Sequence, residues 1–259
     1  MKLSCVTASY VGEGLGYPGP IDWNLASTVI ERQPILETVA SLLRRLAPAK
    51  LDGIELWMPH ASPNNLTPVL AGRLRRLMAL HGTTCCAYAG SLPDPALDSD
   101  GAESAFQAAM LLRAPVIAAH LSPAAVPRLT SLCAQYGIRL AFENGAEPLQ
   151  ELRAVVAGSD PAWVGINLDT GNLAAQGDDP VQALRELGSR VIHMHFKDVP
   201  AVGSHDCVAL GRGIVDVKGI TQELKALNYG GWLSVEVETG DRDPTDEIVT
   251  SIELLRSLL

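Results

Sequence analysis

Short apolar or β-branched runs recur along the chain at 3–8, 53–57, 83–88, 114–119, 138–142, 163–168, 190–196 and 232–237, each the length of one buried strand. Between and after them, the segments 33–48, 66–81, 100–113, 124–136, 148–157, 180–188, 217–227 and 244–259 place apolar residues three to four positions apart. That is the spacing of one helix face. Pro34, Pro68, Pro148, Pro180 and Pro244 each fall in a predicted first helical turn, where the missing N–H removes no helical bond. Strand and helix alternate throughout, which predicts parallel strands joined by right-handed crossovers. Eight such units predict closure into an α/β fold of the (β/α)₈ type, a TIM barrel, with one domain over 1–259. No linker or low-complexity tract interrupts the pattern. The Gly/Pro-rich stretch from Gly12 to Asn24 follows the first strand, on the face where barrels carry their sites; it is either a substrate-covering loop with Tyr17 and Trp23 or an irregular connection.

Composition adjusts this picture in two ways. Lys and Arg number 20 against 29 Asp and Glu, a formal net charge of −9 that repels nucleic-acid and anionic membrane surfaces. Arg44, Arg45, Arg73, Arg75 and Arg76 lie on helical patterns and are expected on solvated outer faces. The 5 cysteines are odd in number, and the adjacent Cys85 and Cys86 would point to opposite strand faces, so no disulfide framework is expected. No signal peptide or membrane span is read from the sequence. A reducing, cytoplasmic setting follows as the expectation.

Four strands of the second half end in an ionisable side chain: Glu143, Asp169, His195 and Glu236, separated by 26, 26 and 41 residues. Spacing of about one βα unit each places them on neighbouring strands at the carboxyl-terminal rim. Three carboxylates repel one another there unless a cation compensates them. An oxygen-rich set with one imidazole suits one divalent metal ion, Mn²⁺ or Mg²⁺ first, with Co²⁺ and Zn²⁺ as further candidates.

The strings LAFEN (140–144), INLDTGN (166–172), HMHFKD (193–198), LGRGIVD (210–216) and NYGGWLSVEVE (228–238), with GIELW (53–57), resemble motifs of the xylose isomerase-like TIM-barrel superfamily, which includes sugar phosphate isomerases and epimerases. The resemblance implies a metal-dependent sugar isomerase or epimerase that abstracts a proton alpha to a carbonyl through a metal-stabilised enediolate. The alternative it leaves is a dehydratase of the inosose or 3-dehydroshikimate type. Carried over by motif, Glu143, Asp169, His195 and Glu236 are the metal ligands, and Glu143 with Glu236 the acid/base pair. Glu55, His60, His120, Asn172, His193, Lys197 and Arg212 are the candidate substrate contacts. Trp57 and Tyr88 are aromatic faces available to a sugar ring, with plain packing as the alternative. Asn172 stands where the zinc endonucleases and the tagatose/psicose epimerases of the superfamily carry a histidine, which argues against DNA repair and against those free ketoses. The expected partner is a small carbohydrate or polyol-derived substrate, with no nucleic acid and no membrane, in a homodimer or homotetramer as in many relatives.

Overall fold

The computed structural model describes residues 1–145 and 147–259. Its eight strands are β1 (Lys2–Cys5), β2 (Gly53–Trp57), β3 (Thr84–Ser91), β4 (Val116–His120), β5 (Arg139–Glu143), β6 (Val164–Asp169), β7 (Val191–Phe196) and β8 (Trp232–Val235). All paired neighbours are parallel, in the order β1-β8-β7-β6-β5-β4-β3-β2. The remaining seam, β1 to β2, is joined by a single bridge between Val6 and Glu55 and by the Asp52 N–H donating to the Leu3 carbonyl at 2.9 Å. The result is a nearly closed barrel.

Among the described residues, ten α-helices connect and surround the strands: α1 (Trp23–Glu31), α2 (Ile35–Leu46), α3 (Pro68–Leu80), α4 (Ser99–Leu112), α5 (Val126–Tyr136), α6 (Leu149–Ala157), α7 (Thr170–Gln176), α8 (Pro180–Leu187), α9 (Val217–Ala226) and α10 (Thr245–Leu258). The apolar spacing does what it predicts: α2 buries Ile35, Val39, Leu42, Leu43 and Leu46 against the barrel. Strand β2 is buried on both faces, as a parallel strand under helices must be. Pro68 and Pro180 occupy first helical positions, whereas Pro34, Pro148 and Pro244 stand one residue earlier, at the N-caps.

Two helices lie outside the sequence expectation. In α1, the β-branched Thr28, Val29 and Ile30 weaken the helical signal. Helix α7 begins directly after β6 with only seven residues, too few to show a period. The first strand is also shorter than expected. After Cys5 the chain coils into a 3₁₀ segment, Thr7–Gly14, and hydroxyls replace the ladder: Thr7 accepts the Trp57 N–H at 2.8 Å and Ser9 the Val237 N–H at 3.0 Å.

Arg45 departs from its expected place on a solvated face. It bridges Glu13 at 2.5 Å and Asp243 at 2.9 Å, with its guanidinium over the Tyr10 ring, and so ties the loop after β1 to the loop after β8. All five cysteines are buried and free. Among the described residues, no helix is long and apolar enough to cross a membrane.

Candidate metal centre

Strand ends deliver the four predicted ligands to one point. Glu143 closes β5, Asp169 closes β6 beside His195 of β7 in register, and Glu236 follows β8 with its N–H still bonded to the Phe196 carbonyl at 3.0 Å. They are 5, 0, 1 and 3 % exposed. One donor atom from each lies within 4.8 Å of the others. His195 Nδ1 is 3.0 Å from Glu143 Oε1 and 3.4 Å from Glu236 Oε2.

The surroundings fix the direction of each carboxylate. Asp169 Oδ1 accepts the Asn172 N–H at 2.8 Å, capping α7. Its backbone is gripped reciprocally by Asn144, whose Oδ1 accepts the Asp169 N–H at 2.8 Å while Nδ2 donates to the Asp169 carbonyl at 3.0 Å. Oδ2 is thereby turned to the centre, where it and Glu236 Oε2 are buried without a hydrogen-bond partner. Buried unpartnered carboxylate oxygens are rare and call for a compensating group. Hard oxygen donors with one imidazole fit a divalent cation.

Electrostatics agree with that fit. Burial, reinforced by Glu236 and Glu143, lifts the Asp169 carboxyl well above the ordinary range despite Lys197. Burial works against charge on His195, yet Glu143, Glu236 and Glu55 together raise it well above its usual value. Lys197 Nζ lies 3.7 Å from Asp169 Oδ2, 3.6 Å from Glu236 Oε2 and 2.5 Å from Glu238 Oε2.

Above the centre opens a cavity of about 1290 Å³. His120, Asn172 and Lys197 line it with Glu143, His195 and Glu236, and His120 Nε2 is 3.4 Å from Glu143 Oε1. Trp57 lines it too, packed edge-on against Trp23 at 5.6 Å between ring centroids. The stretch after β1 supplies Gly19, Pro20 and Ile21 to the same wall.

Four expected substrate contacts are absent from that lining. Glu55 and His193 are fully buried and bonded to each other, Glu55 Oε2 to His193 Nε2 at 2.8 Å. His60 is buried with Nδ1 3.1 Å from the Thr7 hydroxyl, and its burial holds it down at about 3. Arg212 is exposed outside the cavity. Its loop is scaffold: Asp198 Oδ2 accepts the N–H groups of Gly211 and Gly213 at 2.9 Å each, and Oδ1 that of Val215 at 3.0 Å. A Cβ on Gly213 would stand 2.2 Å from the Val199 carbonyl oxygen, so this tight loop admits only glycine there. Tyr88 turns away as well, donating its hydroxyl to the Ala61 carbonyl at 2.8 Å.

The sequence model of the family described as xylose isomerase-like TIM barrel matches residues 124–258, the half that carries all four converging side chains. The chain belongs to this family. An inosose dehydratase of Lactiplantibacillus plantarum is 31 % identical over 134 residues, which cover 44 % of each chain. The chain thus matches less than half the length of that relative. Two solved structures share the fold over nearly the whole length. A probable 3-DHS dehydratase from Bacillus anthracis superposes with TM-score 0.73 at 19 % identity, covering 99 % of both chains. A 3-keto-D-glucoside 4-epimerase from E. coli gives 0.72 at 15 % identity, again over 99 % of both. Both likenesses are of fold.

Sequence reasoning overlooked Glu238, Asn144 and Asp198. Glu238 was open to detection, because Ser234, Glu236 and Glu238 alternate along one face of the strand path and Glu238 lines the cavity. Burial, opposed by Lys197, pushes its carboxyl up to about 7. Asn144 and Asp198 act through backbone groups distant in sequence, and no local pattern marks such partners.

Proposed function

We propose that this protein is a divalent-metal-dependent enzyme acting on a sugar or polyol-derived substrate, in which Glu143, Asp169, His195 and Glu236 hold the ion. The observation that carries this reading is the convergence of these four buried groups with two carboxylate oxygens left unpartnered. An ion bound there supplies a Lewis acid that acidifies a C–H next to a carbonyl. Mn²⁺ or Mg²⁺ suits the oxygen-rich set best, with Co²⁺ and Zn²⁺ as alternatives.

Glu143 and Glu236 are the groups we assign to proton transfer. They rise from β5 and β8, on either side of His195, and both line the cavity. One removes the proton alpha to the carbonyl of a bound substrate. Elimination of a β-hydroxyl then needs a proton donor for the departing oxygen, and we assign that step to Lys197, which is paired with Glu238 at the cavity wall. Dehydration is therefore the reading we favour, which reverses the order suggested by the sequence. The inosose dehydratase name carried by the curated relative supports the same reaction class. Isomerisation or epimerisation is the second reading, supported by the two glutamates, one to take the proton and one to return it.

The deciding experiment follows the protein loaded with Mn²⁺ in D₂O by NMR, with inososes, 3-dehydroshikimate and a panel of ketoses. Loss of water from an inosose or from 3-dehydroshikimate is expected. Deuterium incorporation into an epimer or an aldose–ketose pair would establish the second reading, and inertness towards every compound would sink both. Glu143→Gln and Asp169→Asn are each expected to abolish metal uptake and turnover. Normal metal content in both variants rejects the centre.

A further inference from the structure

Two buried carboxylates lie outside the ligand set and off the cavity wall: Asp198, which holds the loop before α9, and Glu55. Glu55, from β2, is completely buried, and both of its oxygens are occupied: Oε2 is 2.8 Å from His193 Nε2 and Oε1 is 3.1 Å from His195 Nε2. In the barrel order β1 and β8 stand between β2 and β7, so this side chain reaches across the interior to hold two residues 138 and 140 positions away in sequence. The two imidazoles alternate along β7 and meet edge to face, 5.7 Å between centroids.

We infer that Glu55 is a positioning residue for the metal centre: its carboxylate takes an Nε2–H from each histidine, locking the His195 ring with Nδ1 directed at Glu143, Glu236 and the bound ion. The inference rests on the metal-centre reading above and adds to it the group that orients the imidazole. Donor and acceptor counting supports it. A carboxylate accepts only, so hydrogen bonding requires a proton on each facing Nε2. His195 Nδ1 faces a carboxylate as well, Glu143 Oε1 at 3.0 Å, so a cation takes the place of the Nδ1 proton while Glu55 keeps Nε2 protonated. His193 obeys the same count, because its Nδ1 is buried and unpartnered, which a lone pair tolerates better than an N–H does.

Glu55, His193 and His195 also lie close enough together to suggest a second ion. Such an ion would take His195 Nε2 while the first takes Nδ1, which demands a fully deprotonated imidazole. Two hydrogen bonds to one carboxylate need no such species. The carboxylate therefore serves as the outer partner that fixes a ligating histidine, an arrangement whose loss weakens metal affinity by about 10- to 100-fold.

Two measurements test this. In protein labelled with ¹⁵N-histidine and loaded with Zn²⁺, long-range ¹H–¹⁵N spectra are expected to show His195 protonated at Nε2 and metal-bound at Nδ1, and His193 protonated at Nε2. Metal bound to His195 Nε2 would overturn the inference, and this readout needs no variant to fold. In Glu55→Gln the amide accepts from one ring and presents its N–H to the other. Calorimetric titration with Mn²⁺ is expected to give one ion per chain for the wild type and an affinity about 10- to 100-fold lower for the variant. Unchanged affinity in folded Glu55→Gln, or two ions per wild-type chain, contradicts it. If Asp169→Asn abolishes metal binding while Glu55→Gln does not alter it, only the positioning role fails. Full metal binding in Asp169→Asn would remove the centre itself.

Discussion

Three residues show how much a single side chain governs here. Asp198 accepts three backbone N–H groups from the Leu210–Val215 loop. Asp198→Ala orphans all three, and we expect a loss of about 3 kcal/mol of stability, read from urea unfolding midpoints. A change below about 0.5 kcal/mol, the scatter of ordinary surface substitutions, would contradict that assignment. Asp169 and His195 carry the second consequence. Both have affinities for protons raised by the centre, Asp169 through burial and its carboxylate neighbours, His195 through those neighbours against burial. A cation requires the deprotonated form of each, so binding releases protons and the apparent affinity rises with pH. Titrations of Mn²⁺ between pH 5.5 and 7.5, in buffers of differing ionisation enthalpy, check both the sign and the proton count, on the order of one to two. An affinity that is flat or falls with pH contradicts the ligand assignment.

At the level of elements, the contact between α7 and the end of β7 sets the place of Lys197. Helix α7 starts at the cap formed by Asp169 and lays Gly171 against the stem of Lys197; a Cβ there would stand 2.5 Å from Lys197 Cγ. Gly171→Ala must therefore push Lys197 away from Glu236 and Glu238 while leaving the four ligands in place. We expect turnover to fall by about 10- to 100-fold, with metal affinity within a few-fold of the wild type. Equal losses in both would mean that α7 supports the ligands rather than the lysine. This contact was invisible in the sequence, where seven residues directly after a strand display no helical period. The long helices were visible because burial of Ile35, Val39, Leu42, Leu43 and Leu46 writes a repeating stripe into α2.

Over the whole molecule, the proposed cation would close the electrostatic balance of the barrel. The four proposed ligands come from β5, β6, β7 and the end of β8, so binding would couple the second half of the sheet and stabilise only the folded chain. At an ion concentration of about 100 Kd the gain is about 2.7 kcal/mol. For a chain of this size that corresponds to a rise in Tm of about 5–10 °C. Chelation by EDTA should remove the shift and Mn²⁺ should restore it, in thermal melts followed by circular dichroism. Identical melts with and without Mn²⁺ would argue against the centre.

The sequence alone determined the barrel and four of its rim residues, because short continuous apolar runs, period-3.6 burial in the helices, and the ending of strands in Glu143, Asp169, His195 and Glu236 are local regularities. Only the tertiary structure decided which of the other polar residues face the cavity. Glu55 and His193 read as candidate substrate contacts, yet closure of the barrel sets β2 across the interior from β7 and turns the two side chains upon each other. Arg212 reads as a substrate arm from its glycine-rich loop, yet Asp198 folds that loop into scaffold. The physical reason is the same in each case: a side chain's partners are set by approaches between strands and loops far apart in the chain, and no spacing along one segment encodes them.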